Sequence, residues 1–148
     1  MAEKTQLEKI KTFPSFHISV SILCPPDRAY TFASDPANLP KWASGLSGTI
    51  QHVNGEWFAE SPMGKIRISF APVNDFGVLD HDVTLDSGKT FYNPMRVVAN
   101  GDGCEVIFTL YRLPGVSDEA FSQDAATIKK DLEKLKSLLE HKTTRKGV

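Results

Sequence analysis

The last quarter of the sequence carries an apolar stripe that is typical of one long amphipathic helix. From Ser117 to about His141 the apolar residues recur at spacings of three and four, namely Phe121, Ala125, Ile128, Leu132, Leu135 and Leu139. At about 1.5 Å per residue such a helix is roughly 37 Å long, enough to cross a small sheet. Because the stripe must be buried, the rest of the chain is expected to supply a sheet with a matching apolar face.

The residues before this helix have the pattern of antiparallel strands. Phe16–Ile22 alternates apolar and polar side chains, and the prolines at 25 and 26 end it before two short helices, at about 28–34 and 37–42. Turn residues then recur about every ten positions. They separate six further strands, at roughly 46–53, 56–61, 64–73, 76–85, 89–99 and 104–113. The pattern predicts an α+β fold with a seven-strand antiparallel sheet.

The lengths of the turns predict which side chains share a face of the sheet. Short turns, of which Asn54-Gly55 gives the strongest signal, arrange six residues in one row across the inner face: His52, Trp57, Ile68, His81, Asn93 and Leu110. The same register predicts three further pairs: Phe70 with Leu79, Met95 with Phe108, and Phe91 with Arg112. Asp80 and Asp82 fall on the opposite face, in water.

Composition limits the compartments and the classes of partner that are expected for the protein. The 148 residues contain 17 Lys+Arg and 18 Asp+Glu, a net charge of -1, and without clustered cations no nucleic acid is expected as a partner. No apolar run approaches the roughly 20 residues of a membrane span, and two cysteines do not make a disulfide scaffold. We expect a cytoplasmic protein with one domain at 16–141 and flexible tails at 1–15 and 142–148. Its oligomeric state is left open.

Four segments are similar to one known superfamily: CPPDRAYTFASDPANLPKW at 24–42, GVLDHDVTL at 77–85, YNPMRVV at 92–98 and GDGCEVIFTLYR at 101–112. Together with the order of the elements, they resemble the START-like or SRPBCC (birch-pollen-allergen-like) superfamily, in particular its polyketide cyclase/dehydrase-type members. The resemblance implies a helix-grip fold, in which a curved sheet wraps around the C-terminal helix and leaves a hydrophobic tunnel. It does not select a function, because members include lipid carriers, hormone receptors and cyclases.

His81 is the candidate functional residue, since the register places it beside Asn93 on an otherwise apolar face. It is either a ligand anchor or acid–base group, or a buried histidine that Asn93 or a backbone carbonyl satisfies. Arg112 is expected either to point outward into solvent or to form a salt bridge to the terminal helix, and the alternative is that it holds a ligand carboxylate. The residues expected to bind a ligand are Trp57, Ile68, Phe70, His81, Asn93, Met95, Phe108, Leu110 and Arg112.

No metal site and no cofactor are expected. The histidines at 17, 52, 81 and 141 lack the spacing of metal ligands, and strand neighbours such as Asp80 and Asp82 point away from His81. The resemblance implies that Cys24 and Cys104 lie on neighbouring strands, where they are expected to be reduced.

These observations predict that the protein binds a small apolar or aromatic molecule in an internal tunnel. Two alternatives stay open. One is an enzyme of the cyclase, dehydratase or isomerase type that uses His81 as its acid–base group. The other is an interaction or stress module, in which bulky inner residues such as Trp57, Phe91 and Phe108 fill the tunnel.

Overall fold

A computed structural model describes residues 9–46 and 48–147, with side chains up to His141. Within these residues the elements follow the predicted order. They are β1 (Ser15–Ile22), α1 (Pro26–Ala33), a 3₁₀ turn (Pro36–Asn38), α2 (Leu39–Trp42), β2 (Ile50–Val53), β3 (Glu56–Ser61), β4 (Gly64–Phe70), β5 (His81–Leu85), β6 (Thr90–Asn93), β7 (Met95–Asn100), β8 (Gly103–Tyr111) and α3 (Asp118–Gly147).

The two tails expected from the sequence fall largely outside the described part. Residues 1–8 of the N-terminal tail are not described. The backbone of α3 continues to Gly147, past His141 where the apolar stripe ends, and the side chains of 142–148 are not described.

The strands form two antiparallel sheets. The first has the order β1-β8-β7, and the second has the order β2-β3-β4-β5-β6. The strand expected at 89–99 is divided at Pro94, which has no N–H to donate to a ladder. As a result β6 stays with the second sheet and β7 pairs in the first, so the seven expected strands become eight in the described residues.

Four of the eight predicted pairs are confirmed. The confirmed pairs are His52 with Trp57, Trp57 with Ile68, His81 with Asn93, and Met95 with Phe108. Because the side chains of a strand alternate between faces, these pairs confirm which side chains of the paired strands lie on the inner face.

The predicted pairing between β4 and β5 is wrong by two residues. His81 lies opposite Phe70, where the sequence placed Ile68, and Leu79 instead donates its N–H to the Met95 carbonyl at 2.9 Å. A slip of two residues preserves the alternation of faces, so His81 still belongs to the inner face.

The cause of this slip is a wide connection in place of the two-residue turn expected at 74–75. The Asn74 side chain organises it: Oδ1 accepts the N–H groups of Phe76 at 2.9 Å and Val78 at 3.0 Å. Gly77 follows with a φ of 71°, and a Cβ there would overlap the Val97 carbonyl oxygen. A side-chain amide that bonds nearby backbone groups replaces a tight turn.

The stripe on α3 packs on the inner faces of the sheets as the sequence predicts. Leu132, Leu135 and Leu139 belong to one core cluster with Ile18 and Val106 of the first sheet. None of the helices in residues 9–46 and 48–147 is both long and apolar enough to cross a membrane.

We expect Leu132→Asp to unfold the domain. Leu132 is 1% exposed, and a buried charge without a partner costs several kcal/mol against a typical stability of about 5–15 kcal/mol. Ser137→Asp places the same charge on the exposed face of α3 and should change the free energy of unfolding by less than about 1 kcal/mol. Thermal unfolding followed by circular dichroism compares the two. If Leu132→Asp melts at the wild-type temperature, the stripe does not pack on the sheets.

Candidate functional site

The His81 ring lies in the interior, between two aromatic rings. Its centroid is 4.9 Å from that of Phe70 and 6.1 Å from that of Phe108. Nδ1 lies 3.0 Å from the Leu79 carbonyl oxygen. Because a carbonyl only accepts hydrogen bonds, the neutral ring carries its proton on Nδ1 here and leaves Nε2 as an acceptor.

Burial lowers the pKa of His81 below its ordinary value of 6.5. The hydrogen bond to Leu79 and the charges of Asp80 and Asp82 act in the opposite direction and offset the effect of burial only in part. The ring is therefore neutral at pH 7.

His81 and Asn93 are paired across β5 and β6, but the ring is bonded to Leu79 and not to the Asn93 amide. A backbone carbonyl satisfies the histidine, which is one of the alternatives that the sequence left open. The Asn93 side chain has no hydrogen-bond partner among the residues that the structure describes. It is thus an uncommitted polar group on the inner face of β6.

Asp80 does not face water as the register suggested; its side chain is 17% exposed. Oδ1 accepts the N–H of Met95 at 2.9 Å and forms an ion pair with Arg96, while Oδ2 accepts the Tyr92 hydroxyl at 3.0 Å. One carboxylate therefore bonds to groups on both sides of Pro94 and holds β6 against β7.

A cavity of about 650 Å³ lies between β6 and β8. The sequence paired Asn93 with Leu110 and Phe91 with Arg112, but β6 is an edge strand and does not pair with β8 in the described residues. The ladder from β8 is taken by β7 only up to the Met95–Phe108 pair. One further hydrogen bond joins the Thr109 N–H to the Pro94 carbonyl oxygen at 3.0 Å. Beyond it β6 and β8 separate, and the cavity lies in the gap.

Four segments form the walls of this β6–β8 cavity. They are residues 90–93 of β6, the end of β8 with the loop behind it, Asp124 of α3, and the segment before β1. The lining residues are Thr12, Phe13, Thr90, Phe91, Tyr92, Asn93, Leu110, Tyr111, Leu113, Val116 and Asp124.

A second cavity, of about 620 Å³, lies along β3 and β4. Trp57, Ile68 and Phe70 line it, together with more polar residues such as Arg67 and Asp82. We call it the β3–β4 cavity. It comes close to His81 through Phe70, which lines the cavity and packs on the imidazole.

The nine residues expected to bind a ligand do not form one continuous wall. Trp57, Ile68 and Phe70 line the β3–β4 cavity; Asn93 and Leu110 line the β6–β8 cavity; His81, Met95 and Phe108 lie in the interior and line neither; Arg112 lies at the loop before α3. Met95 is 1% and Phe108 9% exposed. The middle of the expected tunnel is therefore filled with side chains.

Arg112 forms the salt bridge to the terminal helix that the sequence suggested. Nη1 pairs with Asp118, and Nε donates to the Val116 carbonyl oxygen at 2.9 Å. The guanidinium also lies 6.0 Å from the Phe121 ring centroid. These contacts hold the loop whose Val116 lines the β6–β8 cavity.

Several cavity residues were missed from the sequence. Phe13 was assigned to the N-terminal tail, and Tyr111 was not among the expected ligand-binding residues, because the register assumed that β8 pairs with the strand at 89–99 along its whole length. The signal that could have found them is Pro94, since a proline inside an expected strand indicates an edge or a break.

No cluster of three His, Cys, Asp or Glu side chains that could hold a metal occurs in the part of the chain that is described. Cys24 and Cys104 are both buried as thiols. Burial raises the pKa of Cys104 to about 11, so this thiol stays protonated.

The family described as polyketide cyclase / dehydrase and lipid transport matches residues 14–140. The chain belongs to this family, within the START-like or SRPBCC superfamily that the sequence segments indicated. No curated protein gives a significant match to the chain.

Solved structures share the helix-grip fold at low sequence identity. Ara h 8.0201 is 12% identical over 88% of this chain and 99% of its own, with a TM-score of 0.68. The Aha1 dimer from Colwellia psychrerythraea is 14% identical over 86% and 96%, with a TM-score of 0.68. Truncated norcoclaurine synthase from Thalictrum flavum is 13% identical over 86% and 93%, with a TM-score of 0.61. At these identities the likeness shows the fold alone.

The lowered pKa of His81 predicts a loss of stability in mild acid. Between the folded pKa and 6.5 the folded state binds fewer protons than the unfolded state, so the free energy of unfolding rises with pH. The free energy of unfolding that depends on the neutral His81 ring is fully present above about pH 6.5. It is lost as the pH falls toward the pKa of His81 in the folded state. We expect the melting temperature to fall more steeply from about pH 7.5 to about pH 5.5 in the wild type than in His81→Gln.

The matched control is His52→Gln, because His52 is exposed and stacks on Trp57 at the first hairpin. This variant should keep the wild-type dependence on pH. Equal slopes for the wild type and His81→Gln would mean that the imidazole is not desolvated.

Proposed function

We propose that the protein binds a small apolar or aromatic molecule in the β6–β8 cavity. The observation that carries this proposal is an apolar wall that contains one uncommitted amide. Phe91, Leu110 and Val116 offer apolar surface, whose burial contributes roughly 25 cal/mol per Å². The Asn93 amide can orient a bound molecule through one hydrogen bond, as single polar groups do in apolar pockets.

The size of the cavity and the description of the family support the same proposal. Its volume of about 650 Å³ falls within the range of about 300–1,000 Å³ that is usual for small-molecule sites. Polyketides and lipids, which the family description names, are largely apolar molecules.

The filled-core alternative applies to the centre of the domain and not to this cavity. Ile68, Met95 and Phe108 are buried and occupy the space below the middle of the sheets. The β6–β8 cavity lies to one side of them, where the two sheets separate. A ligand there does not require the core to open.

We also propose that the protein works in a reducing compartment such as the cytoplasm. Its two cysteines are both buried as thiols, and the raised pKa of Cys104 keeps that sulfur protonated. Cysteines that persist as thiols are usual where glutathione and thioredoxin keep proteins reduced.

A bulky side chain in the cavity should block binding. We expect Val116→Trp to weaken the binding of an apolar fluorescent dye by about tenfold or more, because the indole occupies the volume of the ligand. Ser69→Trp puts the same side chain at the exposed surface of the β3–β4 cavity and should leave the dye affinity unchanged. Fluorescence titration measures both, after circular dichroism has shown that both variants fold.

Two outcomes would contradict this proposal. One is the reverse pattern, which would move the site to the β3–β4 cavity. The other is the absence of any dye or ligand binding by the wild type.

A second candidate function, acid–base catalysis, rests on the state of His81. The imidazole is buried and neutral, its Nδ1 is held by the Leu79 carbonyl, and its Nε2 is left to accept a proton. Phe70 packs on the ring and lines the β3–β4 cavity, so a substrate in that cavity would reach Nε2 only when the Phe70 ring turns aside. The chemistry would be removal of a proton next to a carbonyl.

An exchange experiment tests this candidate. If His81 is a general base, the wild type should catalyse exchange of the α-protons of an apolar ketone such as 2-tetralone in D₂O, followed by NMR. His81→Gln should lower the rate by about 10²–10⁴ with affinity largely kept, and His52→Gln should not. If the wild type gives only the rate of buffer, His81 is not a base for such ketones.

A further inference from the structure

This inference rests on the proposed ligand site and concerns the charge of the ligand. Asp124 is the charged residue among those that line the β6–β8 cavity in the described chain. Its side chain makes no ion pair and no hydrogen bond with any residue that the structure describes. The nearby guanidinium of Arg112 is already bound to Asp118 and the Val116 carbonyl. The cavity therefore carries one negative charge that the protein does not neutralise.

Aromatic rings from three separate segments line the same cavity. Phe13 precedes β1, Phe91 and Tyr92 belong to β6, and Tyr111 ends β8. Phe13 and Tyr111 also contact each other edge to face, with centroids 6.4 Å apart. The face of an aromatic ring carries negative electrostatic potential and attracts a cation within about 6 Å.

A cation already meets one of these rings. The Lys89 ammonium lies 5.0 Å from the Phe91 centroid, although Lys89 does not line the cavity. The Phe91 ring thus already makes a cation–π contact with a side chain of the protein. Phe13, Tyr111 and Asp124 are left for a charge that the ligand brings.

We propose that the ligand of the β6–β8 cavity is a hydrophobic amine. Its apolar body would contact Phe91, Leu110 and Val116, and its ammonium group would meet Asp124 and the aromatic rings. An anionic ligand of the same shape would place a second negative charge next to the Asp124 carboxylate, which is unfavourable. Fatty acids are therefore poor ligands for this cavity.

Three probes of one shape and different charge test the proposal: 2-naphthylmethylamine, 2-naphthalenemethanol and 2-naphthoic acid. Each is titrated calorimetrically into the full chain near pH 7 at low salt. We expect the amine to bind about fivefold tighter than the acid, with the alcohol between them, because Asp124 attracts the ammonium and repels the carboxylate, each by the modest amount that is usual at an exposed position. Added salt should lower the affinity for the amine and leave the affinity for the alcohol nearly unchanged.

Asp124→Asn should lower the affinity for the amine to that for the alcohol. The affinity for the alcohol itself should not change. The control is Glu119→Gln, which removes the same charge from an exposed position in the first turn of α3 and should preserve the order of the three probes. Both positions are exposed, so both variants are expected to fold.

The outcomes separate the two proposals. If the acid binds the wild type as tightly as the amine, the ligand is not selected as an amine. If Asp124→Asn keeps the preference for the amine, Asp124 does not select it. Either result overturns this inference and leaves the proposed site standing. If no probe binds the wild type, or if Val116→Trp still binds them all, the proposed site itself is contradicted.

Discussion

The carboxylate of Asp80 joins the two sheets where the chain passes from one to the other. The chain leaves β6 and enters β7 through Pro94, which cannot donate a hydrogen bond. Asp80 bonds the Tyr92 hydroxyl on one side of Pro94 and the Met95 N–H and Arg96 on the other. A charged acceptor makes such bonds stronger than neutral pairs. Without it, the N–H of Met95, a buried residue, would lose its partner at a cost of about 1–3 kcal/mol.

The candidate ligand site follows from this junction. Because β7 takes the ladder of β8 only as far as Met95, the end of β8 separates from β6, and the cavity lies in the gap. The space under the middle of the sheets is filled by Met95, Phe108 and the leucines of α3. The place open to a ligand is thus the β6–β8 cavity, where the two sheets separate. Its walls also include the segment before β1 and the loop held by Arg112.

The parts of the fold that could be predicted are those with a local physical signal. The stripe of α3 and the alternation of β1 are periodic, and the short loop at 86–88 sets His81 opposite Asn93 without help from the rest of the chain. The shift between β4 and β5 had no such signal. It depends on Gly77 approaching β7, which is a tertiary contact, and on the Asn74 amide bonding the backbone of its own loop, where Asn74-Asp75 has the sequence of an ordinary two-residue turn.

The candidate site was predicted less well for the same reason. Asn93 and Leu110 were found because they follow the alternation of their strands. Asp124 and Phe13 come from elements far away in the sequence, and only the folded chain brings them to the cavity. Pro94 was the local clue to the β6–β8 cavity, but a proline shows where a ladder breaks and not where the strands go next.

NMR tests most directly whether the β6–β8 cavity is the ligand site. A ¹⁵N-labelled sample is titrated with 2-naphthalenemethanol, and the amide signals of the backbone, the Asn93 side chain and the Trp57 indole are followed. If the ligand binds between β6 and β8, saturable shifts are concentrated at residues 90–93 and 110–116 and at the Asn93 side chain, and the Trp57 indole signal is unchanged. Shifts concentrated at Trp57 and residues 66–70, or no saturable shift at all, would contradict binding at this site.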